Sequence, residues 1–271
     1  MNLSERVAVI TGAGGGIGRG IALALARRGC HLALADVSAA GLAETSALLR
    51  GVHVSTHKLD VTDRAATALL PKAVLAEHGR VDLLVNNAGV AIGGTFEQVD
   101  EADFDWLMDV NFHAVVRLTR AFLPLLKASD QARIVNISSL FGLIAPPGQT
   151  AYSAAKFAVR AFSESLRNEL AEAGSSVGVT VVHPGGINTD IARNARPPRH
   201  VTNEEAALVA AERDRFQKFL RMSPARAGEI IATGIEKERA RVLVGTDARI
   251  GSIIERLAPI SYWNILKRSM A

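Results

Sequence analysis

Short runs of β-branched and aliphatic residues alternate along the chain with longer Ala/Leu-rich amphipathic stretches. The apolar runs are RVAVI (6–10), HLALA (31–35), VHVSTHK (52–58), VDLLV (81–85), ARIVNIS (132–138), VGVTVVH (177–183) and RVLVG (241–245). Helix-like stretches fall near 17–28, 39–50, 62–78, 101–127, 150–173 and 225–238. Several of the short runs are apolar throughout rather than alternating, which suits strands of a parallel sheet buried on both faces. Strand–helix alternation predicts βαβ units with right-handed crossovers. The expected fold class is α/β: a doubly wound, seven-stranded parallel sheet with helices on both faces. No repeat, low-complexity tract or linker divides the chain, so a single domain is expected over 1–271. From 186 to 224 the rhythm breaks: GINTDIARNARPPRH leads into a polar, helix-prone NEEAALVAAERDRFQKFLRM. A long excursion inside a compact domain is usually functional. The tail over 246–271 mixes apolar and basic residues. It can complete a pocket, pack in an oligomer or touch a membrane surface, the first two being favoured.

Composition narrows the class further. Apolar content is 48% and charged content 21%, ordinary for a globular chain with a real core. The net charge of +4 is modest and no dense Lys/Arg block occurs, so nucleic-acid binding is not expected. The lone cysteine, Cys30, rules out an intramolecular disulfide framework and a Cys-rich zinc site. No histidine pair has metal-ligand spacing, so no metal is expected. A strand-like run within six residues of the N-terminus leaves no room for a signal peptide. No apolar run approaches the ~18 residues of a membrane span. A reduced, cytoplasmic setting is expected.

VAVITGAGGGIGRGIALALARRG reads as strand, glycine-rich turn and helix, with Gly12, Gly14, Gly15, Gly16 and Gly18 in the turn. Glycine lets backbone approach a pyrophosphate, and a helix N-terminus offers free N–H groups and a positive dipole end. A strict G-x-G-x-x-G does not fit; the spacing is T-G-x-x-x-G-x-G over 11–18. Asp36 closes the second strand run 20 residues after Gly16. A carboxylate there can accept hydrogen bonds from an adenosine ribose and repel a 2′-phosphate, or it can cap the next helix. No Arg or Lys lies between Asp36 and Glu44, which favours NAD over NADP. Asp60, at the end of the third run, can meet an adenine edge or cap a helix.

TAYSAAKFAV places Tyr152 and Lys156 four residues apart on a predicted helix, hence on one face. An ammonium beside a phenol favours phenolate and makes a usable acid/base, although such a pair alone is short and common.

In order, the chain shows TGAGGGIG, Asp36, LD at 59–60, NNAG at 86–89, Asn111, NISS at 136–139, YSAAK at 152–156 and HPGGINT at 183–189. This series resembles the short-chain dehydrogenase/reductase family, in its single-domain form with a Rossmann-type sheet; the match covers about 5–190 and, weakly, the rest. The resemblance implies an NAD-linked oxidoreductase interconverting an alcohol and its ketone. It makes Tyr152 the acid/base and Lys156 both its electrostatic partner and a ligand of the nicotinamide ribose. Bringing a phenol from about 10 to about 7.5 would need roughly 3 kcal/mol of phenolate stabilisation. Ser139 would bind the substrate oxygen, with Ser138 facing the other way. Asn111 would kink its helix and reach Lys156 through water, or be satisfied by neighbouring backbone. Gly12, Gly16, Ile17 and Gly18 would seat the dinucleotide, with Asp36 on its ribose and Asp60 and Val61 by its adenine. Asn87, Ala88 and Gly89 would pass close to it, Asn87 also bracing strands. Pro184, Gly185, Ile187 and Thr189 would flank the nicotinamide, Thr189 alternatively capping a helix. The rival readings are an NADP-preferring carbonyl reductase and a dinucleotide-binding sensor or scaffold without turnover.

LFGLIAPPGQTA, between Ser139 and Tyr152, is apolar, and Val209, Phe216, Phe219 and Leu220 are spaced as one helical stripe. Together they suggest a hydrophobic small-molecule substrate under a mobile lid. The resemblance also implies a homo-oligomer, tetramer before dimer, pairing helices 101–127 and 150–173 across two-fold axes.

Overall fold

A computed structural model of the chain describes residues 1–270; the side chains of Asn203, Glu212, Arg213, Arg215, Phe216, Lys218, Phe219 and 268–270 lie outside the described residues. Every apolar run forms a strand. In chain order the elements are β1 (Val7–Thr11), α1 (Gly16–Ala26), β2 (His31–Asp36), α2 (Ala39–Leu48), β3 (Val54–Lys58), α3 (Arg64–His78), β4 (Leu83–Asn86), α4 (Glu101–Met108), α5 (Ala114–Lys127) and β5 (Ala132–Ile137). They continue as α6 (Thr150–Glu172), β6 (Val177–Pro184), α7 (Asn203–Phe219), α8 (Pro224–Glu236), β7 (Arg241–Val244), α9 (Thr246–Leu257) and α10 (Tyr262–Met270). β4 begins just after Asp82, whose N–H donates to Val7 O at 2.9 Å and whose carbonyl accepts the Arg133 N–H at 2.8 Å. Its buried carboxylate accepts the Val7 N–H at 2.9 Å and is paired to Arg80 at 2.6 Å.

The seven strands form one sheet in the order β3-β2-β1-β4-β5-β6-β7, each neighbouring pair parallel. The core is split in two by this sheet. Ala8 and Ile10 of β1 face α1 and α8 through Ile21, Leu25, Ile231 and Ile235. Val7 and Val9 face α3, α5 and α6 through Leu70, Val74, Phe122 and Leu170. The residue alternation of a strand sends neighbouring side chains to opposite faces, so wholly apolar strands require helices on both. α1 and α8 pack backbone to backbone: a Cβ on Gly20 would stand 2.1 Å from Pro224 O. The strand order reverses between β1 and β4, and the crevice beyond their C-terminal ends is where ligands bind in such sheets.

Two expectations are refined. The helix anticipated over 101–127 is interrupted by a π-helical turn, Asp109–His113, where the Ala114 N–H bonds Asp109 O, five residues back. The excursion over 186–224 holds α7 and is pinned at both ends. Ile187 bridges Met222, and Arg196 bridges Ile92. Val209 and Leu220 of the expected stripe are at least half-buried, and Leu208 is exposed; Phe216 and Phe219 lie outside the described residues. The tail forms α9 and α10.

Candidate active site

The glycine turn is shaped by what crosses it. Gly12 has φ +65°, and a Cβ there would lie 2.8 Å from Ala88 Cα. A Cβ on Gly18 would lie 2.1 Å from Gly12 O, so side chains at these positions would push the turn off β4. Asn87 Nδ2 donates to Thr11 O and Gly12 O at 2.9 and 3.0 Å. Thr11 Oγ1 accepts the N–H groups of Asn87 and Ala88, each at 3.1 Å. Asn87 therefore braces β1, while its neighbour Asn86 braces β5 by donating to Asn136 Oδ1 at 2.8 Å. Gly15 differs from the rest of the turn: a Cβ there meets nothing within 4 Å, and as the N-cap of α1 it makes no side-chain cap bond. The first amides of α1 thus face open space beside Ile17, an anion seat of the kind helix N-termini provide.

Asp36 stands at the rim of this seat. Its carboxylate accepts the Gly14 N–H and the Ser38 N–H, both at 2.8 Å. Ser38, not Asp36, caps α2, through the Gly41 N–H. Each Asp36 oxygen keeps a lone pair for a further donor. Arg19, passed over in the sequence, lies one turn into α1: Nη2 donates to Gly14 O at 2.6 Å and to Glu44 Oε2 at 2.7 Å. Asp60 is exposed, its Oδ1 accepting the Thr62 N–H and hydroxyl at 2.9 and 2.7 Å; Asp63 caps α3 instead. Val61 is buried against α5, its carbonyl accepting from Arg117 Nη2 at 3.2 Å.

Ser139, Tyr152, Lys156 and Asn111 are brought together beyond the end of β5. Ser139 opens a 3₁₀ turn, Leu140–Gly142, and its Oγ accepts the Phe141 N–H at 3.1 Å. Ser138 faces the other way, donating to Lys156 O at 2.8 Å. Tyr152 and Lys156 share a face of α6, with Nζ 5.6 Å from the Tyr152 ring centroid, and Lys156 Nζ donates to Ile137 O at 3.1 Å. Asn111 sits in the π-helical turn, which explains a helix-poor residue at that place. Its Oδ1 accepts the Val90 N–H at 2.8 Å and its Nδ2 donates to Val90 O at 2.9 Å. The side chain is thus satisfied by backbone. Gly89 lies at the junction: a Cβ there would stand 3.1 Å from Asn111 Oδ1 and 3.5 Å from Lys156 Nζ.

The electrostatics correct one expectation. The Tyr152 pKa is not lowered: burial outweighs the nearby ammonium and pushes it up to about 12, partly opposed by a hydrogen bond with the Ser139 side chain. Burial also lowers Lys156 to about 8. The pair is therefore a protonated phenol beside a weakened ammonium, poised to give a proton. Phe141 packs edge-on to the Tyr152 ring at 6.2 Å and makes an apolar wall. The later part of LFGLIAPPGQTA turns elsewhere. Ala145, Pro146 and Pro147 line a cleft of about 550 Å³ with Phe157 and Trp263, on a flank of α6 rotated from Tyr152 at about 100° per residue.

Pro184 ends β6, and a Cβ on Gly185 would displace the Asp247 carboxylate, whose Oδ1 would lie 2.1 Å away. Asp247, also passed over, accepts the Gly186 N–H at 2.5 Å. Ile187 is buried, and the Thr189 methyl lies 3.3 Å from where a Gly16 Cβ would be, which sets this turn across the anion seat. Thr189 caps no helix; only turns follow it. His183 lies on β6. It is buried, with Nδ1 3.0 Å from Ser139 O.

The comparisons agree with this geometry. The sequence profile of the short chain dehydrogenase family matches residues 6–200. A putative oxidoreductase, SadH, of Mycobacterium tuberculosis is 45% identical over 98% of this chain and 95% of its own. A short chain dehydrogenase/reductase from Burkholderia phymatum, solved in complex with NAD, superposes with a TM-score of 0.88 at 31% identity, covering 95% of each chain. An alcohol dehydrogenase from Thermococcus sibiricus complexed with 5-hydroxy-NADP has a TM-score of 0.73 at 28% identity, over 89% of this chain and 94% of that one. The chain belongs to the short-chain dehydrogenase family and is an NAD(P)-dependent oxidoreductase acting on CH–OH groups.

Proposed function

We propose that the protein interconverts a hydrophobic secondary alcohol and its ketone with NAD, using Tyr152 to move the proton. The carrying observation is the convergence of Ser139, Tyr152 and Lys156 on one spot beside an open helix N-terminus. The seat fits a dinucleotide: the turn of Gly12, Gly16, Ile17 and Gly18 takes the pyrophosphate, Asp36 the adenosine ribose, and Asp60 and Val61 flank the adenine by position. Asn87, Ala88 and Gly89 floor the crevice, while Pro184, Gly185, Ile187 and Thr189 wall the nicotinamide end. NAD supplies the hydride acceptor in oxidation and its reduced form the donor.

The chain's own groups do the rest. The Ser139 hydroxyl holds the substrate oxygen. In reduction the Tyr152 phenol, kept protonated by a pKa of about 12, gives its proton to that oxygen as negative charge develops there. The phenolate left behind is stabilised by the Lys156 ammonium, which is the prevailing form below about 8. Lys156 also reaches the nicotinamide ribose. Phe141 supports an apolar substrate, and α7, leaning over the segment at Gly93 through Val209, acts as its lid.

NAD is preferred because Asp36 presents a carboxylate where NADP carries its 2′-phosphate. Arg19 does not reverse this, since Glu44 at 2.7 Å compensates its charge. The half-buried Phe157, Phe162 and Leu166 of α6 suit an interface between copies, giving a homo-oligomer. The test is a panel of apolar alcohols and ketones followed at 340 nm with each cofactor. Turnover of secondary alcohols with NAD is expected. Dinucleotide binding without turnover of any member would favour the sensor reading.

A further inference from the structure

We infer that α9 and the turn after it form a docking surface for an anionic lipid bilayer. Ile250, Ile253 and Leu257 recur at i, i+3 and i+7, which makes one stripe along the helix. The stripe faces outward: Ile253 is 58% exposed, Leu257 79%, and Ile260, in the turn beyond, 97%. The opposite face is already used. Ala248 and Gly251 are buried, and a Cβ on Gly251 would stand 2.6 Å from Leu140 Cδ1. A helix that buries its small residues inward and shows its large apolar residues outward needs a second surface.

The charges say which kind. Arg249 and Arg256 each precede a stripe residue, so both lie along the same edge of the stripe, and both are exposed. The acids of α9 do not share that edge. Asp247 is bonded to the Gly186 N–H at 2.5 Å, and Glu255 lies toward the packed side. An apolar stripe with an arginine edge is the pattern of a helix that lies in a membrane interface, its apolar side in the acyl boundary and its cations at anionic headgroups. A second copy fits less well: an antiparallel two-fold contact through the stripe would set the arginine edges of both copies side by side. Because Gly251, on the inner face of α9, packs on Leu140, next to Ser139, the bilayer would lie about one helix diameter, ~10 Å, from the turn that carries Ser139. The consequence, direct entry of an apolar substrate from the bilayer, rests on the function proposed above; the docking does not.

The test is co-sedimentation of the full chain with vesicles of phosphatidylcholine alone and of phosphatidylcholine mixed with phosphatidylglycerol, at low and high salt. Binding to the anionic vesicles is expected, weakened by salt. The combined Ile253→Glu, Leu257→Glu and Ile260→Glu variant should lower partition by at least about tenfold. Arg249→Glu with Arg256→Glu should remove the preference for anionic lipid while leaving the stripe. Circular dichroism and turnover of a water-soluble substrate should be unchanged in both variants. No vesicle binding by the wild-type chain overturns the inference, as does a drop in oligomer mass in the stripe variant, which would make this a contact between copies. Vesicle binding without dehydrogenase activity would leave the docking standing and refute the proposed function alone.

Discussion

His183 Nδ1 lies 3.0 Å from the carbonyl oxygen of Ser139, buried between β6 and the turn that carries the candidate oxyanion-binding hydroxyl. A carbonyl only accepts, so Nδ1 carries the proton and Nε2 is a bare acceptor, without a protein partner among the described residues. The imidazole is held neutral: burial lowers its pKa to about 4. This fixes the backbone from which the Ser139 hydroxyl projects.

A neutral buried histidine makes stability depend on pH. The folded value is about 4 against 6.5 for the unfolded chain, so the unfolded state binds more protons between them. The contribution is full above 6.5 and is lost as pH falls through 4. His183→Asn should keep the carbonyl contact and flatten the acid limb of a urea-midpoint profile. His183→Ala should release Ser139 and lower kcat about tenfold or more with KM less affected, since small misplacements near the chemistry are costly. A wild-type acid limb and kcat in both variants would refute the role.

Tyr152→Phe removes the hydroxyl assigned to proton transfer. A loss of at least about 10²-fold in kcat is expected, with NAD affinity by fluorescence titration largely kept. Near-normal turnover in a folded variant would count against the assignment.

Lys156→Met should separate function from stability. The ammonium is buried and its pKa falls to about 8 from 10.5, so holding it charged at neutral pH costs about 3 kcal/mol. That cost fades as pH rises from 8 to 10.5. The apo variant should therefore melt a few degrees higher at neutral pH, while its NAD affinity and turnover fall. A lower Tm would show that the contact with Ile137 O outweighs the desolvation.

Asp36→Ala should narrow the ratio of kcat/KM between NAD and NADP by at least about tenfold, the scale of one charge-assisted contact. Wild-type preference for NADP would refute the NAD assignment. The same variant also frees the Gly14 and Ser38 amides, so the ratio, not the absolute rate, is the readout.

The segment after β6 that is proposed as a lid is latched by charge at its base. The buried Asp103 carboxylate accepts from Arg196 Nη1 and Arg199 Nε, each at 2.7 Å, and the Arg196 guanidinium stacks 3.3 Å above the Trp106 ring centroid. Asp103→Asn should speed amide exchange over 190–202 and change KM for bulky apolar substrates more than NAD affinity. Unchanged exchange would mean the segment is held by its backbone bridges alone.

The sequence by itself determined the strands, because buried parallel strands must be apolar on both faces. It determined the glycine turn, because Gly12 and Gly18 leave no space for a side chain. It also determined the register of Tyr152 and Lys156, because four residues make about one helical turn. The tertiary structure alone decided which residues 25 to 96 positions apart in sequence are in contact in space. Arg19 meets Glu44, Asp247 meets Gly186, His183 meets Ser139, and Asp103 meets Arg196 and Arg199. No local periodicity encodes such pairs. The Tyr152 pKa belongs to the same class. Spacing places an ammonium near the phenol and suggests a lowered value, but burial is a property of the whole fold, and here it outweighs the nearby charge.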